Sequence, residues 1–209
     1  MAIVHKPART VRQLTNIQRR PESLRSQIRE TARRLFAREG YESVSMRRIG
    51  AEVGCSPMAI YRHYENKEEL LLSLCEETFA TMIRLLDEAR QKPGTRLEQL
   101  RRCVRAVVDF HLSHPNHYKV TFMTEIPPGP VAERKVAIGQ HVMDRLRTGV
   151  RECAGEKGLA IDVEMAAQII RVGIHGLAGQ LITTGRCYPW KDPERMKDEV
   201  IAAVTRQLE

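Results

Sequence analysis

The segment Ser45-Met-Arg-Arg-Ile-Gly-Ala-Glu-Val-Gly-Cys-Ser-Pro-Met-Ala-Ile-Tyr-Arg-His-Tyr-Glu-Asn-Lys67 decides the fold of this 209-residue chain. Its first residue is of the type that caps helix N-termini, which predicts a short helix over Met46–Val53 that Gly54 ends. Ser56-Pro57 is a cap followed by a first-turn proline and predicts a second short helix through about Tyr64. Two short helices joined by a glycine-containing turn are typical of a helix-turn-helix.

The two short helices have one apolar face each. Ile49, Val53, Ile60 and Tyr64 can face a common core. The remaining face is free and suited to the major groove of DNA. The alternative is a helical hairpin inside an all-α core. The residues predicted to point outward are Arg47, Arg48, Pro57, Met58, Tyr61 and Arg62.

The positive charge is concentrated in the first third of the chain. The whole chain carries a net charge of +8, and residues 1–66, with 13 Lys/Arg and 6 Asp/Glu, carry +7 of it. This asymmetry indicates a polyanionic partner for that third, nucleic acid before membrane. Five cysteines, no two closer than twenty residues, exclude a disulfide framework and a CxxC metal site. Free cysteines are expected in the reducing cytoplasm. We also expect no signal peptide, because the N-terminus lacks an apolar core, and no membrane span, because no stretch approaches the ~18 apolar residues that one needs.

The rest of the chain also carries helical signals and no strand-like alternation, so we predict an all-α fold of nine helices. Residues 1–21 contain five Lys/Arg and no acid and are predicted to be a mobile basic arm. After this arm, we divide the chain into a helix-turn-helix part over 22–68 and a larger helical part over 69–209. Helices are predicted from Leu24 to the cap at Gly40, from Asn66 to before Pro93, and over 96–113, 116–124, 131–153, 163–184 and about 193–207.

The sequence resembles the tetracycline-repressor (TetR) family of bacterial transcription regulators. The resemblance covers about 24–72 and is carried by 32–36, 40–49, 51–54, 60–64 and 67–70. It implies an N-terminal three-helix DNA-binding domain over 22–68 and a C-terminal ligand-binding and dimerisation domain over 69–209. It also implies a homodimer that binds a palindromic double-stranded operator and is not an enzyme.

The resemblance assigns DNA contacts residue by residue. It implies that the Ser45 hydroxyl meets a phosphate and that Arg47 reaches a base edge, where an arginine pairs bidentately with guanine. Residues 57–59 fall at the start of the recognition helix and offer only apolar contact, for instance to a thymine methyl group. The predicted DNA-binding set is Ser45, Arg47, Arg48, Ser56, Pro57, Met58, Ala59, Tyr61, Arg62, His63 and Lys67.

A second resemblance, in the C-terminal part, is to a TetR subtype marked by an HPxxYxxxF-like segment and a Trp…His-Gly pair. His114-Pro-Asn-His-Tyr118 and Ile174-His-Gly-Leu177 carry it, although the expected Trp is Arg171 here. The spacing of His111, His114 and His117 raises a metal site, but Pro115 breaks the helix between them and no further ligand is near. We predict no metal and no cofactor.

Apolar residues of the middle helices are either plain core or the lining of an adaptable pocket for an unidentified small molecule. The predicted ligand-binding set is Phe79, Met82, Leu86, Phe110, Phe122, Met123, Met143, Ile174 and His175. Residues 163–184 carry an apolar stripe and a second stripe of Gly173, Gly176 and Gly179, which indicates close helix approach. Pairing of the last two helices with their symmetry mates predicts a four-helix dimer interface, and packing within one subunit is the alternative.

The sequence therefore predicts a ligand-responsive, sequence-specific transcriptional regulator, a repressor that a small molecule releases from its operator. A second hypothesis is a redox sensor that acts through Cys55, in the turn beside the recognition helix. A third, an all-α enzyme that acts on small molecules, has no supporting arrangement of catalytic side chains in the sequence.

Overall fold

The computed structural model describes residues 23–185 and 187–209. The described residues contain nine α-helices and no strand, which confirms the all-α prediction. The predicted basic arm over 1–21 lies outside the described residues. The helices are α1 Leu24–Glu39, α2 Met46–Val53, α3 Pro57–Tyr61, α4 Lys67–Arg90, α5 Arg96–Ser113, α6 Pro115–Tyr118, α7 Pro130–Lys157, α8 Val163–Thr184 and α9 Pro193–Thr205.

The first three helices enclose a small core that fixes the angle between α2 and α3. Ile28, Leu35, Ile49 and Ile60 are completely buried in it. Gly54 turns the chain between the two short helices at φ 78°, in the left-handed region that glycine enters without strain. Burial of one face of α3 in this core therefore fixes the orientation of its exposed face.

Four of the predicted helices have different boundaries in the structure. Helix α3 ends at Tyr61, because the amides of His63 and Tyr64 both donate to the carbonyl of Ile60 and close a turn. The predicted helix over 116–124 divides into α6 and a π-helical turn, Lys119–Met123.

Helix α7 is longer than the predicted 131–153. It continues to Lys157 and ends where Gly158 adopts a left-handed conformation, with φ 64°. The last helix is in turn slightly shorter than predicted: α9 ends at Thr205 and is followed by a 3-10 turn, Arg206–Leu208.

The C-terminal helices form one packed body around α4. Helix α4 packs on α5 and α7, α8 packs on α5 and α7, and α9 covers α8 and α5. Helix α1 also contacts α4, α6 and the π-helical turn, so the small N-terminal core is joined to this body at several points. Within the described ranges, no helix is long and apolar enough to cross a membrane.

The glycines of α8 serve different contacts. A Cβ at Gly173 would lie 2.5 Å from Cγ1 of Val204 on α9, which is far inside van der Waals contact. A Cβ at Gly179 would approach the Tyr118 hydroxyl, and Gly176 faces open space. Close approach of α8 and α9 within one subunit therefore depends on Gly173.

We expect Gly173→Ala to lower the free energy of unfolding by about 1–3 kcal/mol, because the new methyl group overpacks the α8–α9 contact. Gly155→Ala on α7 is the matched control, since nothing lies within 4 Å of its Cβ position. That control should raise stability by up to about 1 kcal/mol through the loss of backbone freedom. Urea denaturation of both variants measures the difference, and Val204→Ala should relieve the first. Equal effects of the two alanines would contradict the close-contact account.

Candidate nucleic-acid interface and cavity

The free surface of α2 and α3 is the first candidate site. Met58 is 67% exposed and Tyr61 50% exposed, which is unusual for large apolar and aromatic side chains. Arg47, Arg62 and His63 are also exposed beside them. Pro57 is exposed at the start of α3, and Ala59 is half-buried. The helix-turn-helix thus presents a contiguous surface of cationic, aromatic and apolar groups.

Two serine hydroxyls at this surface each accept one hydrogen bond from a backbone amide, and each keeps its own proton available to donate. The Ser45 hydroxyl oxygen accepts from the Arg48 amide at 3.1 Å, and the Ser56 oxygen accepts from the Ala59 amide at 3.2 Å. A hydroxyl that accepts in this way can still donate its own proton. Both serines cap their helices and remain able to donate to a phosphate oxygen.

The neighbouring cations Arg47 and Arg48 differ in their surroundings. Arg48 donates to Glu52 at 2.9 Å and lies 4.0 Å from Glu39. Glu52 also accepts from Arg34 at 2.8 Å, and this hydrogen bond, with the charge of Arg48, lowers the pKa of the Glu52 carboxyl. Arg47 forms no ion pair with a described residue. Arg47 is thus the side chain of the two that is free to extend toward a ligand.

Lys67 is engaged within the protein. Its Nζ donates to the carbonyl oxygen of Tyr41 at 3.0 Å and lies 4.1 Å from the centroid of the Tyr41 ring. These contacts join the start of α4 to the turn before α2. A phosphate contact by Lys67 would have to share the ammonium with Tyr41, so we assign this residue a positioning part in the site.

The second candidate site is a cavity of about 410 Å³ among α4, α5, α7, α8 and the π-helical turn. Phe110 lies outside it and packs on His114, with the ring centroids 4.9 Å apart. Met123 is also outside, 53% exposed in a separate cleft beside the end of α1. The predicted residues that do line the cavity are Phe79, Met82, Leu86, Phe122, Met143, Ile174 and His175.

The polar part of the cavity wall was absent from the predicted ligand-binding set. Lys135, Gln140 and Arg171 line it, together with Thr121. One signal for the α7 wall is present in the sequence, because Ala132, Val136, Gly139, Met143 and Leu146 follow one another at spacings of four and three. That spacing places all five on the same face of α7.

Two histidines stack at the wall of the cavity, where His175 lines it and His111 lies behind His175. His111 is fully buried, and burial, with a smaller effect of His175, lowers its pKa to about 3. His175 lines the cavity, and burial together with the charge of Arg171 lowers its pKa to about 4. The two rings are stacked at 5.9 Å. Both imidazoles are therefore neutral at physiological pH, so each has one nitrogen that donates and one that accepts.

The histidines do not form a metal site in the part of the chain that the structure describes. No group of three or more His, Cys, Asp or Glu side chains there is arranged to hold an ion. The rings of His111, His114 and His117 all pack around Phe110 instead, with centroid distances of 4.9–5.8 Å.

Two family models match the chain. The first, described as bacterial regulatory proteins of the tetR family, covers residues 28–74. The second, described as a tetracycline-repressor-like C-terminal domain, covers residues 100–204. The first match contains α2, α3 and the start of α4, and the second contains most of the cavity wall. The Trp-His-Gly subtype is not confirmed by these matches and stays a prediction.

The transcriptional repressor AcnR of Corynebacterium glutamicum is 41% identical over 69 residues, which are 33% of this chain and 37% of AcnR. AcnR of Corynebacterium diphtheriae is 44% identical over 64 residues, 31% of this chain and 34% of that protein. The chain thus matches little more than a third of the length of these relatives.

Solved structures extend the likeness in fold to most of the chain. FadR of Bacillus subtilis, solved with stearoyl-CoA, has a TM-score of 0.76 at 19% identity and covers 88% of this chain and 98% of its own. AibR, solved with isovaleryl coenzyme A and operator DNA, has a TM-score of 0.70 at 21% identity, over 86% and 97%. At these identities the structures establish a shared fold.

Proposed function

Because the chain belongs to the TetR family of bacterial regulatory proteins, we propose that it is a homodimeric transcriptional repressor that a small molecule releases from a palindromic operator. The family is one of regulators, in keeping with the expectation that the chain is not an enzyme. One observation carries the proposal: a single helix, α4, begins beside the helix-turn-helix at Lys67 and lines the cavity with Phe79, Met82 and Leu86.

The DNA-binding half of the proposal depends on the exposed face of α2 and α3. A five-residue α3 held on a buried core can enter the major groove with Met58 and Tyr61 forward. Arg47 supplies a guanidinium that is free of ion pairs to described residues, and Ser45 and Ser56 retain hydroxyl protons for phosphates. In this arrangement Arg47 reads sequence, while the serines, Arg62 and the helix ends position the protein on the backbone.

The adjacent arginines provide a matched test. Arg47→Ala should cost about 1–3 kcal/mol at the operator and relax one base position in each half-site, because a base contact carries sequence information. Arg48→Ala should cost less than about 1 kcal/mol, because its exposed pairing with Glu52 contributes little. Fluorescence anisotropy on operator DNA, recovered by sequencing fragments that the protein selects, and on a scrambled duplex measures both. Equal losses on both duplexes in Arg47→Ala would make Arg47 a phosphate contact.

We place the dimer interface on the outer faces of α8 and α9. Met165, Ile169 and Val172 form an exposed apolar stripe on α8 at spacings of four and three, and Gly176 continues it into open space. A stripe of this kind is the surface that a two-fold partner covers in a four-helix interface. The two recognition helices must then lie about 34–36 Å apart, or a multiple of that distance, to reach successive half-sites.

The regulatory half of the proposal is a displacement of α4. Lys67 and Met82 are fifteen residues apart, about 22 Å along the helix axis. The π-helical turn provides a second link, since Thr121 and Phe122 line the cavity while Lys119 and Met123 line the cleft beside α1. A ligand that favours another position of these elements changes the half-site spacing without touching DNA. A hundredfold loss of operator affinity needs about 2.7 kcal/mol of differential ligand binding.

The alternative of a redox sensor depends on Cys55, which is half-buried in the turn between α2 and α3. The described cysteines are all free thiols. No contact of Cys55 in the described part of the chain favours this alternative over ligand control through the cavity. As a DNA-binding repressor, the protein is proposed to act in the bacterial cytoplasm.

A further inference from the structure

Two cations at the cavity have no counter-charge. Lys135 of α7 and Arg171 of α8 both line it, and neither forms an ion pair with a carboxylate in the described ranges. No Asp or Glu is among the described residues that line the cavity. The wall therefore carries two positive charges and no negative charge.

The lack of a partner distinguishes these two positions from most of the arginines on α7. Three of the four arginines of α7 are paired: Arg134 with Glu69 at 2.7 Å, Arg145 with Asp87 at 3.4 Å, and Arg147 with Glu164 at 2.6 Å. The carboxylates in these pairs belong to helices α4 and α8, which pack on α7, and none of them reaches Lys135 or Arg171. Most of the arginines on the outside of α7 are thus neutralised, whereas the two cations that line the cavity are not.

The field of Arg171 extends into the cavity. Its charge contributes to the lowered pKa of His175, one turn further along α8. Nδ1 of His175 and both ring nitrogens of His111 lack a hydrogen-bond partner among the described residues. The wall at His175 is therefore uncharged and polar, and the wall at Arg171, where Val136 and Gln140 are also exposed, is positive.

The remaining wall is apolar and buried. Met82, Leu86 and Ile174 form it, each less than 5% exposed. At about 30 Å³ for each water-sized group, a cavity of about 410 Å³ admits a ligand of at least roughly a dozen non-hydrogen atoms. A neutral hydrocarbon would satisfy the apolar wall but leave Lys135 and Arg171 without a partner.

We propose that the effector is an amphipathic organic anion, whose apolar body of about ten atoms packs against Met82, Leu86 and Ile174 and whose carboxylate or phosphate binds Lys135 and Arg171. This inference rests on the proposed function, since it names the chemical class of the molecule that fills the same cavity. Arg171 then determines specificity at the position where the Trp-His-Gly subtype resemblance expects a tryptophan.

The test compares ten-carbon probes that differ in the head group. Isothermal titration calorimetry of the full chain measures decanoate, decyl phosphate, 1-decanol and decylammonium below their aggregation concentrations. We expect at least one of the two anions to bind roughly tenfold or more tightly than the alcohol, and the cation to bind most weakly, because each charge-assisted contact adds to affinity. The two anions distinguish a carboxylate from a phosphate head group.

Variants then locate the charge. Lys135→Met and Arg171→Met keep an apolar stem, and each should weaken binding of the preferred anion about tenfold while leaving 1-decanol unchanged. Arg151→Met is the matched control, an exposed α7 arginine outside the cavity lining, and should have no effect. As a second readout, binding of the anion should raise the pKa of His175 in a histidine NMR titration, because a negative charge then offsets Arg171.

The outcomes separate this inference from the proposed function. Equal binding of all four probes, no binding of either anion, or unchanged anion affinity in Lys135→Met and Arg171→Met would overturn the anion proposal. Met82→Trp fills the cavity and should abolish binding, whereas Ala80→Trp, on an exposed position of the same helix, should not. If anion binding survives Met82→Trp, the bound site is elsewhere and the ligand half of the proposed function fails as well.

Discussion

The affinity of the protein for its operator is expected to fall about 10³- to 10⁵-fold when salt rises from about 50 to about 200 mM. The reason is the release of counterions from phosphates that the basic N-terminal third neutralises, a region of net charge +7 that occurs twice in the dimer. With roughly six to ten phosphate contacts, a plot of log K against log salt concentration should have a slope of about −0.9 per contact. Anisotropy titrations at five or more salt concentrations give the slope.

Arg62→Ala should reduce that slope by about 0.9 per subunit, since Arg62 is exposed and forms no ion pair with a described residue. Arg84→Ala is the control, an exposed arginine of α4 that pairs with Glu88 at 2.7 Å. A wild-type slope shallower than about −2 would mean that few phosphates are contacted and would count against DNA binding through this face.

Val172→Asp is expected to separate the dimer and to lower operator affinity by about 10²- to 10⁴-fold. Val172 is 71% exposed in the middle of the α8 stripe, where a two-fold partner would bury the new carboxylate next to its symmetry mate. A monomer loses the effective concentration that a second recognition helix provides, which is the source of the large factor. Sedimentation equilibrium and anisotropy on the same samples measure assembly and DNA binding together.

The control for this substitution is Ala137→Asp, at an exposed α7 position that lies outside the cavity lining. It introduces the same charge on a helix surface and should leave both assembly and binding unchanged. A Val172→Asp protein that remains dimeric with full operator affinity would place the dimer interface on another surface.

The sequence predicted the caps and the turn of the helix-turn-helix because their signals are local. Ser45 and Ser56 cap helices with their own side chains, and Gly54 permits the turn by its own backbone freedom. The predicted end of α7 at residue 153 was wrong, because that boundary depends on contacts with distant parts of the chain. Both Gly155 and Gly158 are residues that can follow a helix end, and burial of Cys153 and Ala154 against the body favours continuation to the second of them. Tertiary packing decides which glycine ends the helix, and a local sequence pattern carries no information about that packing.

The cavity was predicted in part for a related reason. Apolar spacing placed Phe79, Met82 and Leu86 on one face of α4, and these three residues do line the cavity. The same spacing does not indicate whether a polar residue faces solvent or a space between helices, so Lys135 and Arg171 read as ordinary surface residues. The π-helical turn was also missed, because no helix continues after it in which a shifted apolar spacing would show the extra residue.

The most direct test of the central claim is the ratio of two affinities of the intact protein at about 150 mM salt. One is for a duplex recovered by sequencing genomic fragments that the purified protein selects, and the other is for the same duplex with its half-sites scrambled. A sequence-specific regulator should prefer the selected duplex by about 10³-fold or more, with one dimer bound to two half-sites. A ratio below about ten, or selection that recovers no common sequence, would contradict the claim that α2 and α3 read an operator.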